Sequence, residues 1–414
     1  MNRFISNIAY LSSGQFLKVI LRLIAFSIVA KSLSITQYGQ FVTIIAFVEL
    51  FQIFTLPGMS KPILRSACRD IDNTDEILSS KSGIRNATGL LAILIINIAV
   101  IFMDYDSQIV TLVRFYSMVL FIDSIRTYIR IVFKVYEDFK WISLSEIVLS
   151  ASYLILVLIS IRLDFGVAGI IFASLTATIL SFFVDLYNSK RFSRFKIFGG
   201  FEYDRVFFIS AWVFTITNIM WLIITKIDIV MLSKLTTSDE VAMYGVANRI
   251  IFFGLMAVSV VSNVIFPPIV KQIKELGFVK LEGIYSQIIL VFSTFILGCL
   301  IVYFQSDLII SLIADKKYFL SSTIFNILIL YVVIQAFATP VKLILYALDK
   351  EKLLLYLILP LPILKIVLNL FYFEKFGVIG VAYSTVIVYF VYLLCLLIFN
   401  RRLLINTLTK PIER

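Results

Sequence analysis

Lys18, Arg22, Arg114, Arg126, Arg130, Lys226, Arg249, Lys342 and Lys365 are nine of the chain's 37 basic residues, and each falls inside an otherwise apolar stretch. Such stretches read as membrane-spanning helices. A charge at the bilayer centre costs about 2.5–3.5 kcal/mol on insertion scales, so these side chains are expected to face a bundle interior or a wet cavity. Fewer acids share the stretches: Glu49, Asp123 and Asp228, with Glu146 and Asp185 near helix ends. The buried excess is positive, which suits an anionic ligand.

Spacing sorts these residues. Lys18 and Arg22 stand four apart on one face of the first helix, with Gln15 on the same face. A guanidinium can grip a phosphate-like anion through paired N–H donors, so the pair reads as an anion site. The alternative is that Lys18 snorkels and Arg22 forms an interhelical ion pair, but the span's midpoint near Ile20 is deep for snorkelling. Asp123, Arg126, Arg130 and Lys134 form a stripe down the fourth helix at spacings of three, four and four. The stripe could receive an anionic headgroup, or Arg130 and Lys134 could anchor the helix at the inner leaflet. Asp123 reads as a partner for Arg126 rather than a proton carrier.

Lys226 and Asp228 point to roughly opposite sides of the seventh helix. Asp228 is a candidate partner for a distant cation such as Arg22 or Arg249, or else a coupling-ion site. Glu49, in the middle of the second helix, is open to three readings: protonated, paired, or loading a proton. Lys342 beside Pro340 and Lys365 after Pro360 and Pro362 lie in helices expected to kink, and Lys342 is close enough to the cytoplasm to snorkel. Arg114 is peripheral.

The composition says what must hold these groups. Sixty per cent hydrophobic and 15% charged residues, with a mean hydropathy of +0.99, exclude an ordinary soluble chain. Apolar runs of about 20 residues recur from end to end, and the period-2 alternation of a β-barrel is missing. The expected class is an all-α integral membrane protein. Cys68, Cys299 and Cys395 show no paired spacing and there is no histidine, so neither a disulfide framework nor a metal motif is expected, and no cofactor. The first apolar stretch holds Lys18 and Arg22 and lacks a small-residue cleavage site, and so reads as a retained helix.

Twelve spans are expected, at about 8–31, 38–58, 84–103, 108–133, 141–162, 166–188, 206–234, 241–266, 284–304, 322–348, 353–373 and 378–400. Assigning the loops to alternate sides gathers 22 basic residues on one side, among them Lys61, Arg65, Arg69, Lys81, Arg85, Lys190, Arg191, Lys271, Arg402 and Arg414. The other side has only Lys31, Arg162, Lys234, Lys316, Lys317 and Lys375. The positive-inside rule makes the rich side and both termini cytoplasmic, which accounts for the net charge of +11 without nucleic acid.

The halves repeat. Phe165-Gly166-Val167-Ala168-Gly169 opens the sixth span and Phe376-Gly377-Val378-Ile379-Gly380 the twelfth, 211 positions on. Asn188-Ser189-Lys190-Arg191 matches Asn400-Arg401-Arg402, Leu56-Pro57 with Lys61 matches Phe266-Pro267 with Lys271, and Glu137-Asp138 matches Leu348-Asp349. Several matches in one order imply a six-plus-six duplication, with lobes at 1–200 and 201–414. Six is even, so the repeat is parallel, a transporter layout with a site between the halves.

The tract from Leu235 through Thr236-Thr237-Ser238-Asp239-Glu240 and Tyr244-Gly245 to Arg249, preceded by Lys226-Ile227-Asp228, resembles polysaccharide flippases of the Wzx type. So do Leu33 to Gly39 and the two Phe-Gly-Val-x-Gly openings. The resemblance places the chain in the polysaccharide transporter branch of the MATE and lipid II flippase superfamily and implies a MATE-like fold of two six-helix lobes. It further implies translocation of undecaprenyl-pyrophosphate-linked oligosaccharide units, such as O-antigen, across the bacterial cytoplasmic membrane by ion-coupled alternating access. The implied partners are that substrate, membrane lipids, and polysaccharide polymerase and chain-length machinery. On this reading Lys18, Arg22, Arg126, Arg130 and Arg249 bind the substrate, while Glu49, Asp123 and Asp228 serve coupling or ion pairing.

Two other classes compete. A MATE-like antiporter for small drugs or metabolites would favour an acid-rich cavity, and here the imbalance is positive. A polymerase or glycosyltransferase would need a sizeable catalytic loop, and the longest outer segment, around Gln305 to Leu320, is too short for one. The chain is expected not to be an enzyme.

Overall fold

The computed structural model describes residues 2–55, 57–202, 205–276, 295–348 and 350–401. Among them every regular element is helical. The first helices are α1 (Asn2–Ser32), α2 (Ile35–Leu50), α3 (Ser60–Arg69), α4 (Thr74–Ala99), α5 (Ser107–Tyr116), α6 (Met118–Val135), α7 (Lys140–Arg162), α8 (Gly166–Ser189) and α9 (Arg205–Leu235). There follow α10 (Ser238–Leu276), α11 (Phe295–Phe304), α12 (Ser306–Ile313), α13 (Leu320–Ala347), α14 (Glu351–Ile358), α15 (Leu361–Phe376) and α16 (Val378–Phe399).

Nine helical segments among the described residues are long and apolar enough to cross a membrane. They become ten if α11 and α12, bent by 78°, make one span. The chain is thus a multi-pass membrane protein. Neither α1 nor α10 is among the nine, although both are long helices where spans were expected. Much of the ninth expected span, together with Asp349, Arg402 and Arg414, lies outside the described residues, and so does most of the following basic tail.

Local signals set the boundaries. Ser34 caps α2: its hydroxyl accepts from the Gln37 N–H, and the Gln37 side chain accepts from the Ser34 N–H, which closes a capping box. α2 then tightens into 3₁₀ turns at Phe51–Thr55 and Pro57–Met59 before α3. The expected kink falls at Pro360, where α14 hands over to α15, while Pro340 is carried inside α13. The third expected span begins ten residues earlier than its apolar run, at Thr74.

Both Phe-Gly-Val-x-Gly openings show the same geometry. Gly166 and Gly377 sit at φ +54° and +58°, where a side chain is strained. Three residues on, Gly169 and Gly380 allow a close approach to the preceding helix. A Cβ on Gly169 would come within 2.8 Å of the Ser160 side chain on α7, and one on Gly380 within 2.0 Å of the Tyr372 carbonyl on α15.

Internal contacts divide the chain into Met1–Asp239 and Glu240–Arg414. In the first unit α7 packs on α1 and α8, α6 on α4 and α8, and α9 on α2. The seating of α9 is tight, because a Cβ on Gly58 would meet the Thr215 backbone at 2.1 Å. In the second unit α16 packs on α13 and α15. The Ser321 hydroxyl donates to the Met243 carbonyl at 2.7 Å, tying α13 to α10.

Candidate functional site

The close approach of α1 to α7 is permitted by Gly14, whose absent Cβ would lie 2.7 Å from that of Ser143. One turn further along α1 stands Lys18, and three residues further along α7 stands Glu146. Lys18 Nζ is 2.7 Å from Glu146 Oε2, and Arg22, one more turn up α1, reaches the same oxygen at 3.6 Å. The other oxygen, Oε1, accepts from Arg126 at 2.6 Å and from Arg130 at 2.7 Å, both on α6. One carboxylate therefore gathers four cations from two helices.

α8 contributes the second acid. Asp185 Oδ2 accepts from Arg130 at 2.9 Å and from Arg126 at 3.3 Å, and its side chain is fully buried. Asp123 completes the set on α6, 3.0 Å from Arg126. Neutral groups pin the helices that carry these charges. Arg130 also donates to the Ser145 hydroxyl at 2.7 Å, and the Ser181 hydroxyl donates to the Ser145 carbonyl at 2.8 Å, joining α8 to α7. The side-chain exposure grades outward, from 4% at Arg126 through 15% at Arg130 and 14% at Lys18 to 30% at Arg22. A buried ion pair holds only where geometry and further hydrogen bonds compensate desolvation, and here Arg126 meets three carboxylates and Arg130 two.

The structure thus brings Lys18, Arg22, Asp123, Arg126 and Arg130 together, and the carboxylates that organise them are Glu146 and Asp185. The sequence had set those two acids aside as lying near helix ends. The other expected residues lie elsewhere. Glu49 on α2 is ion-paired with Lys226 on α9. Asp228 is buried at 5%, on α9. Arg249 and Arg114 are exposed, as is Lys134, which leaves the stripe on α6 as a network of three residues. In the second unit Lys365 is fully buried, its Nζ donating to Thr385 at 2.5 Å and Ser384 at 3.3 Å, and Ser384 donates to Asn369. Lys342 donates to Gln335 at 3.0 Å.

Two residues counted as loop cations are buried on α4. Arg85 is 3% exposed and donates to the Thr55 and Ser124 carbonyls at 3.0 and 3.1 Å. Lys81 meets Glu202 at 3.3 Å. The segment 193–202 lies along α4 as a strap: the Gly83 N–H donates to the Gly200 carbonyl, and Asn86 to that of Ile197. Polar partners from this strap, not lipid, cover the first turns of α4, so hydropathy could not find them.

Three solved structures share this fold. A multidrug resistance MATE family transporter of the MOP superfamily, in its inward-facing conformation, aligns with a TM-score of 0.73 at 16% identity, over 96% of this chain and 98% of that one. The lipid II flippase MurJ, in an inward closed conformation, aligns at 0.74 and 18%, over 95% of this chain and 87% of its own. A MOP superfamily transporter from Pyrococcus furiosus aligns at 0.68 and 17%, over 97% and 96%. A search of curated proteins gives no match. The fold is the one these two transporters and the flippase share. The family is also shown: residues 4–273 match the model described as polysaccharide biosynthesis protein, and the chain belongs to that family.

Proposed function

We propose that this protein flips undecaprenyl-pyrophosphate-linked oligosaccharide units, such as O-antigen repeats, from the inner to the outer leaflet of the bacterial cytoplasmic membrane. The single observation that carries the reading is the convergence of Lys18, Arg22, Arg126 and Arg130 from two helices onto one small anionic group. A diphosphate needs several positive charges on different elements, and arginine forks match its oxygens. Arg249 is proposed as a further substrate contact from the family-like tract. Ion-coupled alternating access between lobes at 1–200 and 201–414, with twelve spans and cytoplasmic termini, completes the proposal, and Glu49, Asp123 and Asp228 are assigned to coupling or ion pairing. Polysaccharide polymerase and chain-length machinery would take the product on the outer side.

The test is transport by the full-length protein in liposomes, using a fluorescent undecaprenyl-pyrophosphate oligosaccharide and a quencher outside. Lys18→Gln and Arg22→Gln should each slow flipping by about tenfold to a hundredfold, the equivalent of a charge-assisted hydrogen bond of roughly 1.5–3 kcal/mol. In cells both variants should lose surface polysaccharide while remaining in the membrane. Full display by both would defeat the assignment, and protection of a deletion strain against small drugs alone would favour a drug antiporter.

A further inference from the structure

The geometry points to a role for Glu146 that the cations alone do not suggest: we infer that it is a built-in competitor of the substrate's diphosphate, holding Lys18 and Arg22 in the empty carrier and yielding them when the substrate arrives. This deepens the diphosphate reading above and rests on it.

The two carboxylate oxygens are used unequally. Oε1 sits between Arg126 and Arg130 at 2.6 and 2.7 Å, and these arginines are also fixed by Asp185 and Asp123. Oε2 meets Lys18 at 2.7 Å and Arg22 at 3.6 Å. Among the described residues Glu146 is the one ion-pair partner of Lys18. The α6 side of the carboxylate is therefore anchored several times over, while the α1 side is held by Lys18 at 2.7 Å and by a longer contact from Arg22 at 3.6 Å. It is also the more open side, because Arg22 has the largest exposure of the four cations. An incoming diphosphate carries several charged oxygens and can span two cations as Oε2 does. Lys18 and Arg22 would pass from Oε2 to the phosphate oxygens, while Glu146 stays held by Arg126 and Arg130. On release, re-forming the Lys18–Glu146 pair replaces the contact the phosphate gives up, so Lys18 is not left desolvated without an anion.

The role makes Glu146 a determinant of residence time, not a contact for the substrate. A group of this kind raises turnover by weakening binding, since tight holding of the bound state slows release. Its neutral isostere should do the opposite.

The experiment titrates inorganic diphosphate into the full-length protein by calorimetry and measures flipping in parallel. Glu146→Gln should bind diphosphate about tenfold more tightly, the scale of one charge-assisted contact, and should flip more slowly. The double variant Lys18→Gln/Glu146→Gln should lose that gain, because the gain runs through Lys18. If Glu146→Gln does not reach the membrane, Glu146→Asp carries the test: it keeps the charge, withdraws it by one methylene, and should tighten binding to a lesser degree. Unchanged or weaker binding by Glu146→Gln, with normal binding by the wild type, would show that Glu146 only positions the cations; the inference fails and the proposed function stands. Absence of diphosphate binding by the wild type, with Arg22→Gln indistinguishable from it, would remove the proposed function itself.

Discussion

At the scale of single residues, the same ionic core contains groups with opposite expected behaviour. Asp185 is fully buried and shared by Arg126 and Arg130, so removing its charge leaves two guanidiniums short of an anion inside the protein. Breaking a buried pair in this way costs about 3–5 kcal/mol. Asp185→Asn should therefore lower the melting temperature in detergent and reduce the amount of protein in the membrane, whereas Arg22→Gln, at the exposed edge, should leave both near wild type. Equal melting temperatures for the two variants would refute this division. The contrast also explains what the sequence could show. A lysine or arginine within an apolar run stands out by its cost, so Lys18, Arg22, Arg126 and Arg130 were visible. Glu146 and Asp185 lie nearer helix ends, where charge is cheap, and their partners are set by helices packed side by side. Arg85 was hidden for a related reason: its acceptors are backbone carbonyls of Thr55 and Ser124, which carry no sequence signature.

At the scale of elements, helix positions depend on a few glycines. Gly14 lets α1 approach α7 closely enough for Lys18 to reach Glu146. Gly380 does the same for α16 on α15, and there the obstacle to a side chain is the Tyr372 backbone, which cannot swing away. Gly380→Ala should destabilise the protein by about 1–3 kcal/mol, as overpacking does. Gly377→Ala meets no atom within 4 Å, so only its positive φ is strained, and its loss should be the smaller of the two. Thermal unfolding of both variants checks the order, and a larger shift for Gly377→Ala would contradict it. The two Phe-Gly-Val-x-Gly openings were legible in the sequence because their glycines answer to a backbone geometry that both openings share. The ionic core was not legible as a repeat, since Lys365 with its hydroxyl partners in the second unit has no counterpart in the acid-and-arginine network of the first.

At the scale of the whole molecule, the hydropathy pattern gave the helical class and most span positions, but orientation is a statement about the membrane and needs its own test. Cys68 lies on α3, a short helix that buries Pro62, Ile63 and Ala67 and leaves Lys61, Arg65, Cys68 and Arg69 exposed. In the proposed topology, which follows the positive-inside rule, the basic residues around it put α3 on the cytoplasmic side. A membrane-impermeant maleimide should accordingly label Cys68 in inside-out vesicles and spare it in right-side-out ones, with Cys68→Ser as the control for the other thiols. The rate adds a second check. Partial burial of the sulfur, and then the nearby Glu137 carboxylate, hold the Cys68 thiol above its ordinary range. The thiolate is the reactive form, so near neutral pH it is a small fraction that grows as protons are removed. Labelling should therefore be slow at pH 7 and still be rising with pH above 9, where an unperturbed thiol is levelling off. Labelling confined to right-side-out vesicles would invert the proposed topology, and with it the direction in which the substrate moves.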